Sequence, residues 1–490
     1  MVMNEALDAL ATVPRSSYVG GRWLPSDDGN RLETHDPSSG SVLTDVAAGG
    51  AAEVGAAVRA AQEALTGTWG QTTPAARARV LARTAQLLRS NARRLALVET
   101  LDSGKPLRES LGDVETSARY FEYYAGVADK LQGDTIPLGR DFVSYTLREP
   151  IGVAAHIIPW NFPLVTTARG VAPCLAAGCT AVVKPAEQTP LTALMLAGVL
   201  EEAGLPAGAY NVVNGTGESA GSPLVAHPGI AHVTFTGSVP TGKRVMKGAA
   251  DHVASVLLEL GGKSPVIVLA DADPEAALQG VLKAIFTNAG QVCSAGSRLI
   301  IERSIAEPFL DRLVKATAAL TPGRGLEDPG LGPLISAQQL ERVSAFVDDS
   351  ARETGWRLLT GGTRLHPAGL ERGWFFAPTI IVAADQTSMI VQEEVFGPVL
   401  VVQIADDAED ALRLANCTSF GLVAGIYTKD ITRALRIARD VDAGQVFVNQ
   451  YFAGGVETPF GGTKNSGFGR EKGLEAVRNY LRVKTVTVRI

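Results

Sequence analysis

Cysteine is scarce: only Cys174, Cys179, Cys293 and Cys417 occur in a chain of 490 residues. None stands in a CxxC pair and no ligand spacing is present, so neither a disulfide framework nor a metal site is expected. Single reduced thiols fit a cytoplasmic protein. Long apolar runs are missing as well. The longest, Gly170 to Val183, contains Pro173 and lies between Arg169 and Lys184; it falls short of the roughly 20 residues a bilayer span needs. The first residues, MVMNEALDAL, carry Glu5 and lack the basic segment of a secretory signal. A membrane partner is therefore not expected. Charge of one sign is nowhere concentrated, and a net charge of −6 gives no attraction for nucleic acid. Internal repeats and low-complexity tracts are absent, which excludes solenoid and fibrous architectures.

Apolar material is plentiful. Hydrophobic residues make up 46% of the chain, and its length exceeds what one core holds, so two or three domains are expected. Thr73-Pro74 supplies an N-cap and a first-turn proline, apolar residues recur at helical spacing from Val80 to Val98, and Gly104 closes the pattern. One long helix is predicted there. From residue 152 short apolar segments alternate with helical stretches: Gly152–Ile158, Thr180–Val183, a helix from about Pro190 to Ala203, then Ala209–Val213, His232–Thr236 and Ser255–Leu260. That alternation predicts parallel βαβ units in a doubly wound α/β sheet. A second α/β series starts at Pro265–Leu269 and continues through Ala424–Tyr427 and Gln445–Asn449, with Gly261-Gly262 as a hinge between the two. Phe142–Leu147 and Val483–Ile490 alternate β-branched residues and fit neither series. They read as an intramolecular hairpin or as an edge that pairs with another chain.

Four segments carry chemistry. Gly290-Gln291-Val292-Cys293-Ser294-Ala295-Gly296 places glycines on both sides of a thiol, which suits a turn that a substrate can approach; an isolated cysteine is otherwise a small buried hydrophobe. In Leu258-Glu259-Leu260-Gly261-Gly262-Lys263 a carboxylate ends an apolar strand. It is either salt-bridged in the core or a general base raised by desolvation. Pro159-Trp160-Asn161-Phe162-Pro163 follows a strand directly, where ligands collect in α/β sheets, and Asn161 offers an uncharged donor for an oxyanion. Phe235-Thr236-Gly237-Ser238 leads from a strand into a helix start that can face a phosphate, although GSxxxG is a weak dinucleotide fingerprint.

Seven segments in order resemble the aldehyde dehydrogenase superfamily over nearly the whole chain: PWNFP at 159–163, KPAEQTP at 184–190, FTGS at 235–238, LELGGKSP at 258–265, GQVCSAG at 290–296, EEVFGPV at 393–399 and PFGGTKNSGFGRE at 459–471. The resemblance implies two doubly wound α/β domains and a small β flap. The dinucleotide-binding domain would comprise residues 1–127 and 150–261, the catalytic domain 262–462, and the oligomerisation flap 128–149 and 477–490. It implies Cys293 as nucleophile, Glu259 as general base, and Asn161 with the Cys293 backbone N–H as the oxyanion hole. Glu471 resembles a second carboxylate on a proton path. Lys184 and Glu187 would hold the adenosine ribose, Gly237 and Ser238 the pyrophosphate, Glu394 the nicotinamide ribose, and Phe396 would pack beside the ring, with Ile157, Ile158 and Trp160 completing the cofactor wall. The implied reaction is NAD-dependent oxidation of an aldehyde to a carboxylic acid through a thioester. Glu187 near the ribose favours NAD⁺, with NADP⁺ a possible second cofactor. A homodimer or homotetramer is implied.

The chain departs from the pattern after NFP. Many relatives carry a tryptophan–lysine pair where Arg169 and Gly170 stand, and the absent lysine shifts proton relay to Glu259 or Glu471. In succinic semialdehyde dehydrogenases an arginine at this position resembles a carboxylate anchor, paired with a second arginine where this chain has Thr287. Arg169 is thus either an anchor for a polar aldehyde tail or a structural arginine. Phe162, Tyr451, Phe452 and Phe460 are expected to line the substrate funnel, which leaves semialdehydes and aromatic aldehydes both open. Two other readings compete: a CoA-acylating relative, against which Glu259 argues, and a non-catalytic structural protein on the same fold.

Overall fold

The structure, a computed structural model, describes residues 2–352, 355–383 and 385–490. Two mainly parallel sheets dominate it. In the first, the parallel strands run in the order Tyr210–Val212, Thr180–Lys184, Val153–Ile157, His232–Thr236, Ser255–Glu259. Chain order therefore reverses between Val153–Ile157 and His232–Thr236, which opens a crevice beyond their carboxyl ends. Two short amino-terminal strands, Ser17–Val19 and Arg22–Leu24, extend one edge, and Gly467–Phe468 returns from the far end of the chain to pair antiparallel with Ser255–Glu259 at the other.

Alternation along each strand explains why helices cover both faces. Ala154, Ala181 and Val183 join one core with the helices Pro163–Ala177 and Leu191–Glu202. Val153, Ala155 and Val182 point the other way, into a core shared with Ala51–Thr66 and Val239–Ala250. The second sheet repeats the scheme around Pro265–Val268. Val266 and Val268 pack with Pro274–Phe286 and Ala306–Ala318, while Ile267 packs with Ala408–Asn416 and Ile431–Asp440.

The predicted long helix is two helices, Pro74–Ser90 and Ala92–Ser103. Asn91 interrupts it: both its backbone N–H and its side-chain Nδ2 donate to the Leu87 carbonyl, at 3.0 and 2.9 Å. This local bond competes with helix continuation. The two unassigned segments pair with each other, Phe142–Pro150 against Leu481–Arg489 antiparallel, with Thr135–Ile136 as a third strand. No helix among the described residues is long and apolar enough to cross a membrane.

Gly261 and Gly262 are sites of close approach. A Cβ at Gly261 would lie 2.3 Å from Glu394 Oε2, and one at Gly262 would lie 2.5 Å from the Cys293 carbonyl oxygen. The hinge expected from sequence is therefore a contact between the two halves that only glycine permits.

Candidate active site

The first sheet delivers its carboxyl ends to the site and the second its amino ends. Val153–Ile157 runs into Trp160 and Asn161, and His232–Thr236 into Gly237 and Ser238. From the other side, Cys293 lies on the loop entering Arg298–Glu302, and Glu394 and Phe396 on the loop entering Val399–Ala405.

Asn161 is buried, and its Nδ2 donates to the Gln291 carbonyl at 2.8 Å, while Asn288 Nδ2 donates to the Asn161 carbonyl at 3.1 Å. The first bond fixes the amide against the cysteine loop and leaves its second N–H uncommitted. That loop is itself restrained. Asn288 and Ala289 take left-handed φ of 47° and 52°, and Gln291 Oε1 accepts from the Ile335 N–H at 2.9 Å. Strained residues of this kind cost on the order of 1–3 kcal/mol each and persist only where packing dictates them. Tyr451 adds a further tie, its hydroxyl donating to the Ser294 carbonyl at 3.0 Å.

Glu259 is 1% exposed, and neither carboxylate oxygen has a hydrogen-bond partner among the described residues. Burial first, and the neighbouring Glu471 second, hold its carboxyl well above the ordinary range; Arg169 pulls the other way. Burial also pushes the Cys293 thiol up to about 12, with Arg169 again opposing. Cys293 is half-buried and lines two cavities. At neutral pH the resting sulphur is a thiol and requires a base to become a nucleophile.

Two cavities meet at Cys293. One, of about 620 Å³, occupies the crevice of the first sheet and is lined by Trp160, Gly237, Ser238, Glu259, Glu394 and Phe396 among others. The other, of about 500 Å³, is a tunnel on the opposite side, walled by Tyr120, Phe162, Val165, Val292, Phe452 and Phe460. Asn161, Thr236 and Cys293 line both. Ser238, Val239 and Pro240 line the crevice at the start of the helix Val239–Ala250, which Ser238 caps by accepting from the Thr241 N–H. Trp160 and Phe396 meet edge to face with ring centroids 5.2 Å apart, and Phe396 holds a left-handed φ of 60°. Glu394 Oε1 accepts from the Gly262 N–H at 2.9 Å, and burial raises its carboxyl to about 7.

Several residues singled out from sequence lie elsewhere. Arg169 reaches the tunnel wall but forms a buried ion pair with Glu471, approaches Thr236 Oγ1 at 3.3 Å and stands 5.6 Å from the Phe460 ring. Its guanidinium is engaged by Glu471 and Thr236. Tyr451 is absent from the tunnel wall; it is buried behind the cysteine loop. Ile157 and Ile158 lie beneath the crevice and do not line it. Lys184 and Glu187 are paired at 3.0 Å on the adjacent strand end, beyond the crevice wall. Conversely, Gln339, Arg342, Glu109 and Lys472 line the cavities without having been marked in the sequence. Gln339 and Arg342 come from the helix Ala337–Ser350, whose only sequence signal is a solvated polar face. Lys472 directly follows Glu471, and that adjacency was the one available cue.

The model of the aldehyde dehydrogenase family matches residues 23–486. A phenylacetaldehyde dehydrogenase of Pseudomonas fluorescens is 43% identical over 500 residues, covering 100% of this chain and 99% of that protein. A hydroxyisobutyraldehyde dehydrogenase of Mycolicibacterium austroafricanum is 42% identical, covering 99% and 95%. Among solved structures, the NAD⁺ complex of betaine aldehyde dehydrogenase from Staphylococcus aureus superimposes with a TM-score of 0.98 at 36% identity, covering 100% of this chain and 97% of that one.

Proposed function

The chain belongs to the aldehyde dehydrogenase family, and from that premise we propose that its NAD-dependent oxidation of an aldehyde to a carboxylic acid runs through a covalent thioester on Cys293. One observation carries this reading: Cys293 stands on the wall common to a nucleotide-sized crevice and an apolar tunnel, with Glu259 on the crevice side and Asn161 on both.

The aldehyde enters by the tunnel and the cofactor occupies the crevice. The residues present fit a dinucleotide: a helix N-terminus for the pyrophosphate, an aromatic pair for the ring, and Glu394 held against a glycine whose added Cβ would collide with it. Lys184 and Glu187 would hold the adenosine ribose. When bound, NAD⁺ supplies the acceptor for hydride at its nicotinamide C4.

Glu259, once deprotonated, takes the thiol proton, and the sulphur adds to the carbonyl carbon. The oxygen gains negative charge, which the free Asn161 N–H and the Cys293 backbone N–H stabilise; such a donor contributes about 3–4 kcal/mol to lowering the barrier. Loss of hydride from the adduct carbon restores the carbonyl as a thioester. Once Glu259 has released that first proton to solvent, it removes a proton from water as its oxygen attacks, the C–S bond breaks, and the acid leaves while the sulphur regains a proton. A carboxylate at this point directs the acyl group to water rather than to CoA. Glu471 takes part as the neighbour that sets the proton affinity of Glu259, with Arg169 holding it in place.

The division of strands between two sheets supports separate domains over 1–127 with 150–261 and over 262–462, and Gly467–Phe468 returns to the first sheet. Exposed Phe142, Val143, Leu147, Val483 and Val488 on the third sheet support self-association through that flap, as a dimer or tetramer. Four free thiols support a reducing, cytoplasmic setting. The test is absorbance of NADH with NAD⁺ and a panel of aldehydes. Turnover without CoA is expected; absence of turnover with every aldehyde, or strict dependence on CoA, refutes the reading.

A further inference from the structure

Five charged side chains line the tunnel: Glu109, Asp113, Arg169, Lys283 and Lys472. Their partners decide which of them a substrate can use. Asp113 is paired with the buried Lys105 at 2.6 Å. Glu109 accepts from the Asn288 N–H at 3.0 Å, and burial raises its carboxyl to about 7, so much of its charge is lost near neutrality. Arg169 is taken by Glu471. Lys283 and Lys472 remain, and no carboxylate among the described residues lies within ion-pair distance of either. Lys283 is exposed, whereas Lys472 is recessed, with Nζ 5.1 Å from the centre of the Phe460 ring.

The backbone explains why Lys472 occupies this place. Phe460 and Glu471 form an antiparallel bridge with both hydrogen bonds at 2.7 Å. At the next residue the chain turns through φ 60° before the helix Gly473–Arg478. A non-glycine residue in that conformation is strained. The turn sets an ammonium group against an aromatic wall, beside the like charge of Arg169, in a largely apolar passage. Burial first and Arg169 second lower its affinity for a proton, to about 8, while Glu471 and Glu259 oppose them from a distance. A partly desolvated cation with no carboxylate in ion-pair contact, at the wall of a substrate passage, is a site that an anion completes.

We propose that Lys472 is a specificity-determining residue that binds the carboxylate at the far end of an aldehyde substrate, so that the preferred substrates are ω-carboxy aldehydes. This rests on the tunnel being the aldehyde's route, as argued under Proposed function. It transfers the anchoring role from Arg169, which is already paired, to its unpaired neighbour.

The test compares ω-carboxy aldehydes of increasing length with their methyl esters, in the unaltered enzyme and in Lys472→Met and Lys472→Arg. In the unaltered enzyme the acid of best length is expected to exceed its ester in kcat/KM by about 10- to 100-fold, the span of one charge-assisted hydrogen bond. Lys472→Met is expected to remove that acid-over-ester advantage through KM, and Lys472→Arg to restore most of it. Methionine meets the same backbone conformation as lysine, so the strain does not differ between the variants. Equal or better use of the ester by the unaltered enzyme overturns the proposal even if Lys472→Met fails to fold. So does an acid preference that survives in Lys472→Met. Absence of NADH from every aldehyde would instead overturn the underlying function.

Discussion

Arg169 and Glu471 form an ion pair buried between the substrate tunnel and Glu259, with side chains 9% and 3% exposed. Beside the pair, Gly170 leaves room for the ring of His156: a Cβ on Gly170 would come within 2.6 Å of His156 Nδ1. Burial alone raises the Glu471 carboxyl, and Arg169 opposes that rise. Removing either partner therefore leaves a costly group behind.

Arg169→Met is expected to destabilise the protein by about 3–5 kcal/mol, the cost of an unpaired buried charge. The double variant Arg169→Met/Glu471→Gln should recover much of that loss. Thermal unfolding midpoints check it; a double variant no more stable than Arg169→Met counts against a strong pair.

Activity is expected to rise with pH, because both Glu259 and Cys293 must lose protons and burial favours their protonated forms. Glu471 adds to the rise at Glu259. Glu471→Gln removes that negative neighbour, lowers the Glu259 pKa and should move the ascending limb of the kcat profile to lower pH. An unmoved limb, or one moved to higher pH, contradicts the coupling.

Asn161→Ala should reduce kcat about 10²- to 10³-fold through loss of an oxyanion donor. Affinity for NAD⁺, followed by quenching of intrinsic fluorescence, should change little. A matching loss of cofactor affinity would point to a structural role, through the Asn161–Gln291 bond, in place of a chemical one.

Glu187 is partly exposed beside Lys184. A carboxylate beside a bound ribose would accept from its hydroxyls and repel a 2′-phosphate. Glu187→Gln should narrow the preference for NAD⁺ over NADP⁺ in kcat/KM. An unchanged ratio removes this residue from cofactor discrimination.

Local chemistry was legible in the sequence. Strand alternation, the glycine-flanked cysteine and the carboxylate ending a strand each depend on neighbours only a few residues away. The long helix was misjudged at Asn91 because apolar spacing continues through a side-chain bond that periodicity does not register. The short strands Ser17–Val19 and Arg22–Leu24 escaped notice, since their place is set by pairing with Tyr210–Val212, far along the chain. Tyr451 and Lys472 show the limit at the site itself. Which of the two faces the tunnel depends on a hydrogen bond to the Ser294 carbonyl in one case and a left-handed φ in the other. Likewise, the pairing of Arg169 could not be read without knowing that Glu471 lies opposite it.

The covalent mechanism is tested most directly by mass spectrometry of Glu259→Gln after mixing with an aldehyde and NAD⁺. With the base gone, thiolate forms only by slow ionisation without it and hydrolysis should stall after hydride loss, so on prolonged mixing the peptide containing Cys293 should accumulate the acyl mass alongside NADH that does not exceed one equivalent per site. Sustained turnover of that variant, or an acyl group on another residue with Cys293 unmodified, would contradict it.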